Sequence, residues 1–281
     1  GCVYAVRFNT QAPPFDNADL RRAVAWAFDR DQIVGIAYED AMPKAVVPFS
    51  SYPGMLEYVT QLDTRLGLSG LDRRDHDKLA GIMEGAGFRK GADGRWANPD
   101  GSSLQMELIA ATGDPSGPVL AEQLGAAGFD VILSVQQNNA RTDAFVSGNF
   151  QMDVGPHCGS LYDPWQTLEH FHSKYAAAPG ARSANLRAIT RYANPELDAL
   201  LDQMEARQPS PADAEYMDLV AAALEIYLRD VPQVVVAEEY HVLVFNSAHW
   251  TGWPDAENPY IAPYIPWEGF ARVIHNLTPR N

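Results

Sequence analysis

The sequence predicts an α/β fold, a mixed sheet flanked by helices, from three observations. Short β-type runs alternate with helical ones, and the helices are bracketed by capping side chains and glycines. The composition, 46% hydrophobic and 20% charged, is that of a globular chain. A length of 281 residues allows one large domain or two small ones. Neither an internal repeat nor a low-complexity linker interrupts the chain.

The elements follow in order. Val3 to Phe8 is a β-type run, ended by Asn9 and the turn-forming Ala12-Pro13-Pro14. Asn17 caps a helix through Phe28, because Leu20, Ala23, Val24 and Ala27 recur at helical spacing with Arg21 and Arg22 on the other face. Asp31 is expected to cap a second helix, Gln32 to Tyr38, ahead of a Pro/Ser-rich loop from Pro43 to Pro53. His76 to Ala86 reads as a helix stopped by Gly87, and Asp93-Gly94 marks a hairpin turn. Ser103 to Ala110 and Asp130 to Val135 read as strands on either side of a helix, Pro118 to Ala127, closed by Gly128. Two more helices, Pro195 to Ala206 capped by Asn194 and Ala212 to Leu228, precede a strand-rich stretch from Val231 to Phe245. The remaining tail is aromatic and proline-rich.

Charge and motifs exclude several functions. The formal net charge of −15 argues against nucleic acid and anionic membrane surfaces as partners, since both reward clustered Lys and Arg. No apolar run approaches the length of a membrane span. The two cysteines, Cys2 and Cys158, are compatible with buried thiols, a disulfide or part of a metal site, and composition does not choose among these. His157, His170 and His172 raise the question of a metal. Yet residues two apart on a helix do not share a face, and neither Cys-x-x-Cys nor His-Glu-x-x-His occurs. Cys158 lies in no protease motif, Glu238 and Glu239 face opposite sides of a strand, and there is no Gly-rich phosphate loop.

Two segments carry a more specific signal. Phe8 to Val34, F-N-T-Q-A-P-P-F-D-N-A-D-L-R-R-A-V-A-W-A-F-D-R-D-Q-I-V, runs over 27 ungapped residues. It resembles the signature of the periplasmic oligopeptide-, dipeptide- and nickel-binding proteins, family 5 of the solute-binding proteins that serve ABC importers. Gly155 to Pro164, G-P-H-C-G-S-L-Y-D-P, is similar to that family's cleft-lining segment, a strand end leading into a helix opened by Asp-Pro. The resemblance implies a type II periplasmic-binding-protein-like lobe. It also implies a receptor that captures a solute between two lobes and delivers it to an ABC permease, in the periplasm or another extracytoplasmic space. Such a protein is no enzyme and needs no cofactor or resident metal. The resemblance further pairs Cys2, eleven residues before Pro13, with Cys158, six before Pro164, in a disulfide of the kind an oxidising compartment preserves.

Family members are longer, with the Phe8 to Val34 signature near their middle, so the chain is expected to represent a C-terminal half. Residues 1–11 would be a hinge strand and 12–230 the second lobe. Residues 231–281 would form a return crossing and a tail on the missing N-terminal half, and the signal peptide and any lipid-anchoring cysteine would also lie outside this sequence. Peptide-binding members place an Asp two residues after the second Cys position; the matching residue here is Ser160, with His157 before the Cys. A hydroxyl cannot form the ion pair that an α-ammonium requires, whereas neutral donors and aromatic faces suit a sugar. The tail H-W-T-G-W-P, His249 to Pro254, with Trp267 beyond it, resembles oligosaccharide-binding members. The expected ligand set is therefore His157, Ser160, Trp250, Trp253 and Trp267, and the expected ligand an oligosaccharide. An oligopeptide is the alternative, and nickel binding or hydrolysis a distant third.

Overall fold

The computed structural model describes residues 1–51, 53–240, 243–255, 257–258, 260–261 and 270–280. The unit Gly1–Glu239 opens with β1 (Cys2–Phe8), α1 (Ala18–Ala25), α2 (Arg30–Tyr38), α3 (Leu56–Leu66) and α4 (His76–Gly85). A hairpin, β2 (Arg89–Lys90) and β3 (Trp96–Ala97), leads to β4 (Gln105–Ala111), α5 (Ser116–Ala126), β5 (Asp130–Gln136), α6 (Asn138–Ser147) and β6 (Met152–Cys158). Then follow α7 (Trp165–Leu168), α8 (Pro195–Glu205), α9 (Ala214–Asp230) and β7 (Gln233–Glu238). A second unit, from Tyr240 onward, holds β8 (Trp250–Thr251), α10 (Phe270–Asn276) and β9 (Thr278–Pro279).

The main sheet has the order β5-β4-β6-β1-β7. β4 runs parallel to β5 and β6, and β1 runs antiparallel to both β6 and β7, so four strands share a direction that β1 opposes. This is the mixed α/β sheet expected from the sequence. Alternation along the strands sorts its two faces. Val6, Phe8, Met152, Val154, Val234 and Val236 face a core with Leu20, Ile33, Leu79 and Leu120 from α1, α2, α4 and α5. The opposite face of β1, β6 and β7 carries Ala5, Arg7, Asp153, Gly155, His157 and Gln233. A second core gathers Tyr58, Leu201, Tyr216 and Leu224 from α3, α8 and α9.

Local capping explains most boundaries. Asn17 Oδ1 accepts from the N–H groups of Asp19 and Leu20 at 2.8 and 3.4 Å, as its residue type requires. α1 nevertheless stops at Ala25 and not Phe28. Trp26 and Ala27 bond back to Ala23 and Val24, and Asp29 must be extended to cap α2. The α2 cap is thus Asp29, whose Oδ1 accepts from Gln32 N–H at 3.0 Å, and not Asp31, which pairs with Lys44 instead. Arg21, expected on the outer face, is buried. Its guanidinium donates to the carbonyls of Phe15, Asp230 and Val231, at 2.6, 2.7 and 3.1 Å, and so satisfies carbonyls orphaned at the end of α9. The strand reading from Val231 holds for β7, to Glu238; His241 and Val242 lie outside the described residues.

Candidate ligand-binding site

From β4 the chain crosses through α5 to β5 on one side of the sheet, then through α6 to β6 on the other side of β4. The connections diverge at the carboxyl ends of β4 and β6, the position at which an open α/β sheet leaves a crevice for ligands. Its borders are Thr112 to Asp114 after β4 and Cys158 to Tyr162 after β6. Because β1 opposes its neighbours, its start lies at this same edge, as does the end of β7.

The disulfide drawn from the family resemblance is present. Cys2 faces Cys158 across the β1–β6 pair, and the bond joins residues 156 apart. With Glu239 these cysteines form the one group of three candidate metal ligands among the described residues, but a disulfide has no thiolate to offer a metal.

The two ligand residues expected from this strand end point into the protein. Ser160 is fully buried and bonded to the first turn beyond it: its N–H donates to Thr167 Oγ1 at 2.7 Å, and its Oγ accepts from Thr167 N–H at 3.1 Å and donates to Pro164 O at 3.3 Å. The loop closes this tightly because residue 159 is Gly; a Cβ there would lie 2.2 Å from Thr167 Oγ1. His157 is also buried, with Nδ1 2.9 Å from Gln233 Nε2 and Nε2 2.9 Å from His170 Nδ1. His170 and His172 do diverge, as their spacing demands: His172 turns to Asp198 and Asp202. What the loop offers to solvent is Leu161 and Tyr162, 39% and 63% exposed. Sequence reasoning passed over Tyr162; the available signal was an aromatic residue two positions after the Cys-Gly-Ser strand end.

Burial pushes the His157 imidazole well below its ordinary range, and that of His170 down to about 4, with the field of Arg187 acting in the same direction on both. Both rings are neutral in the folded lobe, while unfolded histidines titrate near 6.5. Below that pH the unfolded chain binds more protons, so stability falls as pH drops from about 6.5 towards 4. His170 alone should account for about 2 kcal/mol between pH 7 and pH 5. Urea midpoints measured across that range should decline less steeply in a His157→Gln/His170→Gln double variant; an identical slope would refute this origin.

Along the first half of β6 lies a charged cluster invisible in the sequence. Asp153 accepts from Arg7, and from Arg141 Nε at 2.5 Å and Nη2 at 3.0 Å; Arg141 also donates to Val154 O, and Arg7 to Pro156 O. Gly155 makes room, since a Cβ there would lie 2.1 Å from Arg141 Nη2. Desolvation lowers the Arg7 pKa, and Asp153 counteracts it.

In the second unit, β8 pairs with β9 and leaves the Trp250 side chain 45% exposed. Trp253 stacks on Phe245 with ring centroids 4.6 Å apart, and Trp267 lies outside the described residues.

A family model described as bacterial extracellular solute-binding proteins, family 5, middle, matches residues 1–178, and the chain belongs to that family. The oligopeptide-binding protein OppA of Bacillus subtilis (strain 168) is 24% identical over 240 residues, 82% of this chain and 38% of its own length. Among solved structures, a periplasmic oligopeptide-binding protein of Thermotoga maritima with mannohexaose bound is 24% identical, with a TM-score of 0.79 over 99% of this chain and 52% of that one. Campylobacter jejuni NikZ in complex with Ni(L-His) is 18% identical, with a TM-score of 0.69 over 84% of this chain and 45% of that one. The chain spans about half the length of these relatives, or less.

Proposed function

We propose that this chain is the C-terminal half of an extracytoplasmic receptor that captures an oligosaccharide between two lobes and hands it, unchanged, to an ABC permease. The observation that carries the reading is the fold match over 99% of the chain to the Thermotoga maritima protein holding mannohexaose. Ser160 adds support: where the peptide reading needs an acid for an α-ammonium, a neutral hydroxyl is spent on Thr167 and Pro164. The second lobe of residues 12–230 takes β1 and β7 into its main sheet, and residues 1–11 and 231–281, which carry those strands, lead on to the N-terminal half. In the first unit Tyr162 supplies an aromatic face to the sugar, and in the tail Trp250, Trp253 and Trp267 are the candidates for stacking. His157 and Ser160 hold the strand end in shape from within. An oligopeptide is the second reading, favoured by the name of the Bacillus subtilis relative.

Calorimetry on the complete two-lobed receptor separates them. Mannohexaose or a related oligosaccharide should give saturable heats, and tri- to pentapeptides none; saturation by peptides alone would overturn the sugar assignment. Tyr162→Ala should weaken sugar binding by about 1 kcal/mol, roughly fivefold, without lowering the unliganded melting temperature.

A further inference from the structure

We propose that the lobe holds a second small-molecule site, separate from the crevice, which takes a small apolar carboxylate. A cavity of about 270 Å³ opens where α1 and the end of α9 meet the start of β7. Trp26, Val46, Leu71 and Leu228 give it apolar walls, and the charged residues lining it are Arg22 and Arg30. It lies by the amino end of β7, whereas the crevice lies at the strands' carboxyl ends.

Arg22 is occupied by its ion pair with Asp19, but Arg30 is not. Arg30 is only 4% exposed. Its Nε donates to Ala45 O and Val235 O at 3.0 and 2.8 Å, and its Nη1 to Leu71 O at 2.9 Å. One of these carbonyls, Val235 O, lies on β7, and the three bonds together hold the guanidinium fork still. Nη2 has no acceptor among the described residues. Asp72, the carboxylate whose field acts most on Arg30, makes its ion pair with Lys44 at 2.8 Å instead.

Burial brings the Arg30 pKa down to about 10, so the group keeps its charge at neutral pH. A buried guanidinium that meets only neutral carbonyls is under-compensated, and a carboxylate at Nη2 would supply a charge-assisted hydrogen bond at a preset position. The apolar walls then select an acid with a short aryl or alkyl body, of the size of 3-phenylpropanoate.

The test is calorimetric titration of the full chain with 3-phenylpropanoate and with its neutral isostere, 3-phenylpropanamide. The acid should bind saturably at one site, and the amide weaker by at least about tenfold. Ala25, which lines the cavity without bonding Arg30, is the second handle: Ala25→Phe should fill the space and abolish binding. Should that variant fail to fold, the acid–amide comparison still decides. No saturable binding of the acid, equal binding of the amide, or full binding by a folded Ala25→Phe variant would each overturn the proposal.

Discussion

Asp153→Asn should destabilise the lobe by about 3–5 kcal/mol, because it removes the one carboxylate that two buried guanidiniums share. Arg7 and Arg141 are 6% and 9% exposed and Asp153 is 1% exposed, so water cannot replace the lost charge. The neighbouring carbonyls of Val154 and Pro156 would remain as acceptors, but they supply dipoles and not charge. Urea denaturation at pH 7 reads the effect directly, and a loss under about 1 kcal/mol would contradict it. Replacing all three residues by apolar ones of similar volume should recover most of the loss, because desolvating an ion cluster opposes its attraction.

Removing the disulfide should have an effect of similar size. Closing a loop between residues 156 apart restricts the unfolded chain by up to about 5 kcal/mol, with about 2–4 kcal/mol the usual measured range. A Cys2→Ser/Cys158→Ser variant should therefore melt well below the parent, and reductant should lower the parent's melting temperature while leaving the variant's unchanged. Thiol titration of the native, unreduced protein should find no free thiol, and two after reduction. Two free thiols before reduction would refute the bond. Its position suits the proposed receptor: it ties the start of β1 to the end of β6 at the edge where the crevice opens.

Local chemistry written into short stretches was legible. Asn17 caps α1 because a short side-chain oxygen can reach the first free N–H groups, and Asp93-Gly94 turns the β2–β3 hairpin because Gly94 adopts a positive φ of 78°. α3 and α6 were not anticipated: neither has a side-chain cap bond, and α6, N-N-A-R-T-D-A-F-V-S, shows no clear apolar stripe. Asp29 and Asp31 are both plausible caps two residues apart; Asp29 takes the role, and Asp31 stands in the first turn of α2, paired with Lys44.

The candidate site divides in the same way. Family resemblance located the strand end at Cys158 and its partner Cys2, and both lie at the crevice edge. It could not say which way each side chain turns. Period-two alternation along β6 sends His157 inward to Gln233 and His170, while Thr167 captures Ser160, so Leu161 and Tyr162 are what the loop presents to solvent.

By itself, then, the sequence determined the α/β class and the helix starts at Asn17, His76 and Asn194, because those depend on short-range periodicity and caps, while the resemblance of two segments to a known family supplied the family and the cysteine pair. Only the tertiary structure decided the sheet order, the switch point between β4 and β6, the burial of Arg7, Arg21, Arg30 and Arg141, and the cavity beside β7. Each of those arises from groups far apart in the chain. Arg21 meets Asp230 across 209 residues and Arg7 meets Asp153 across 146, distances over which no local pattern fixes a partner.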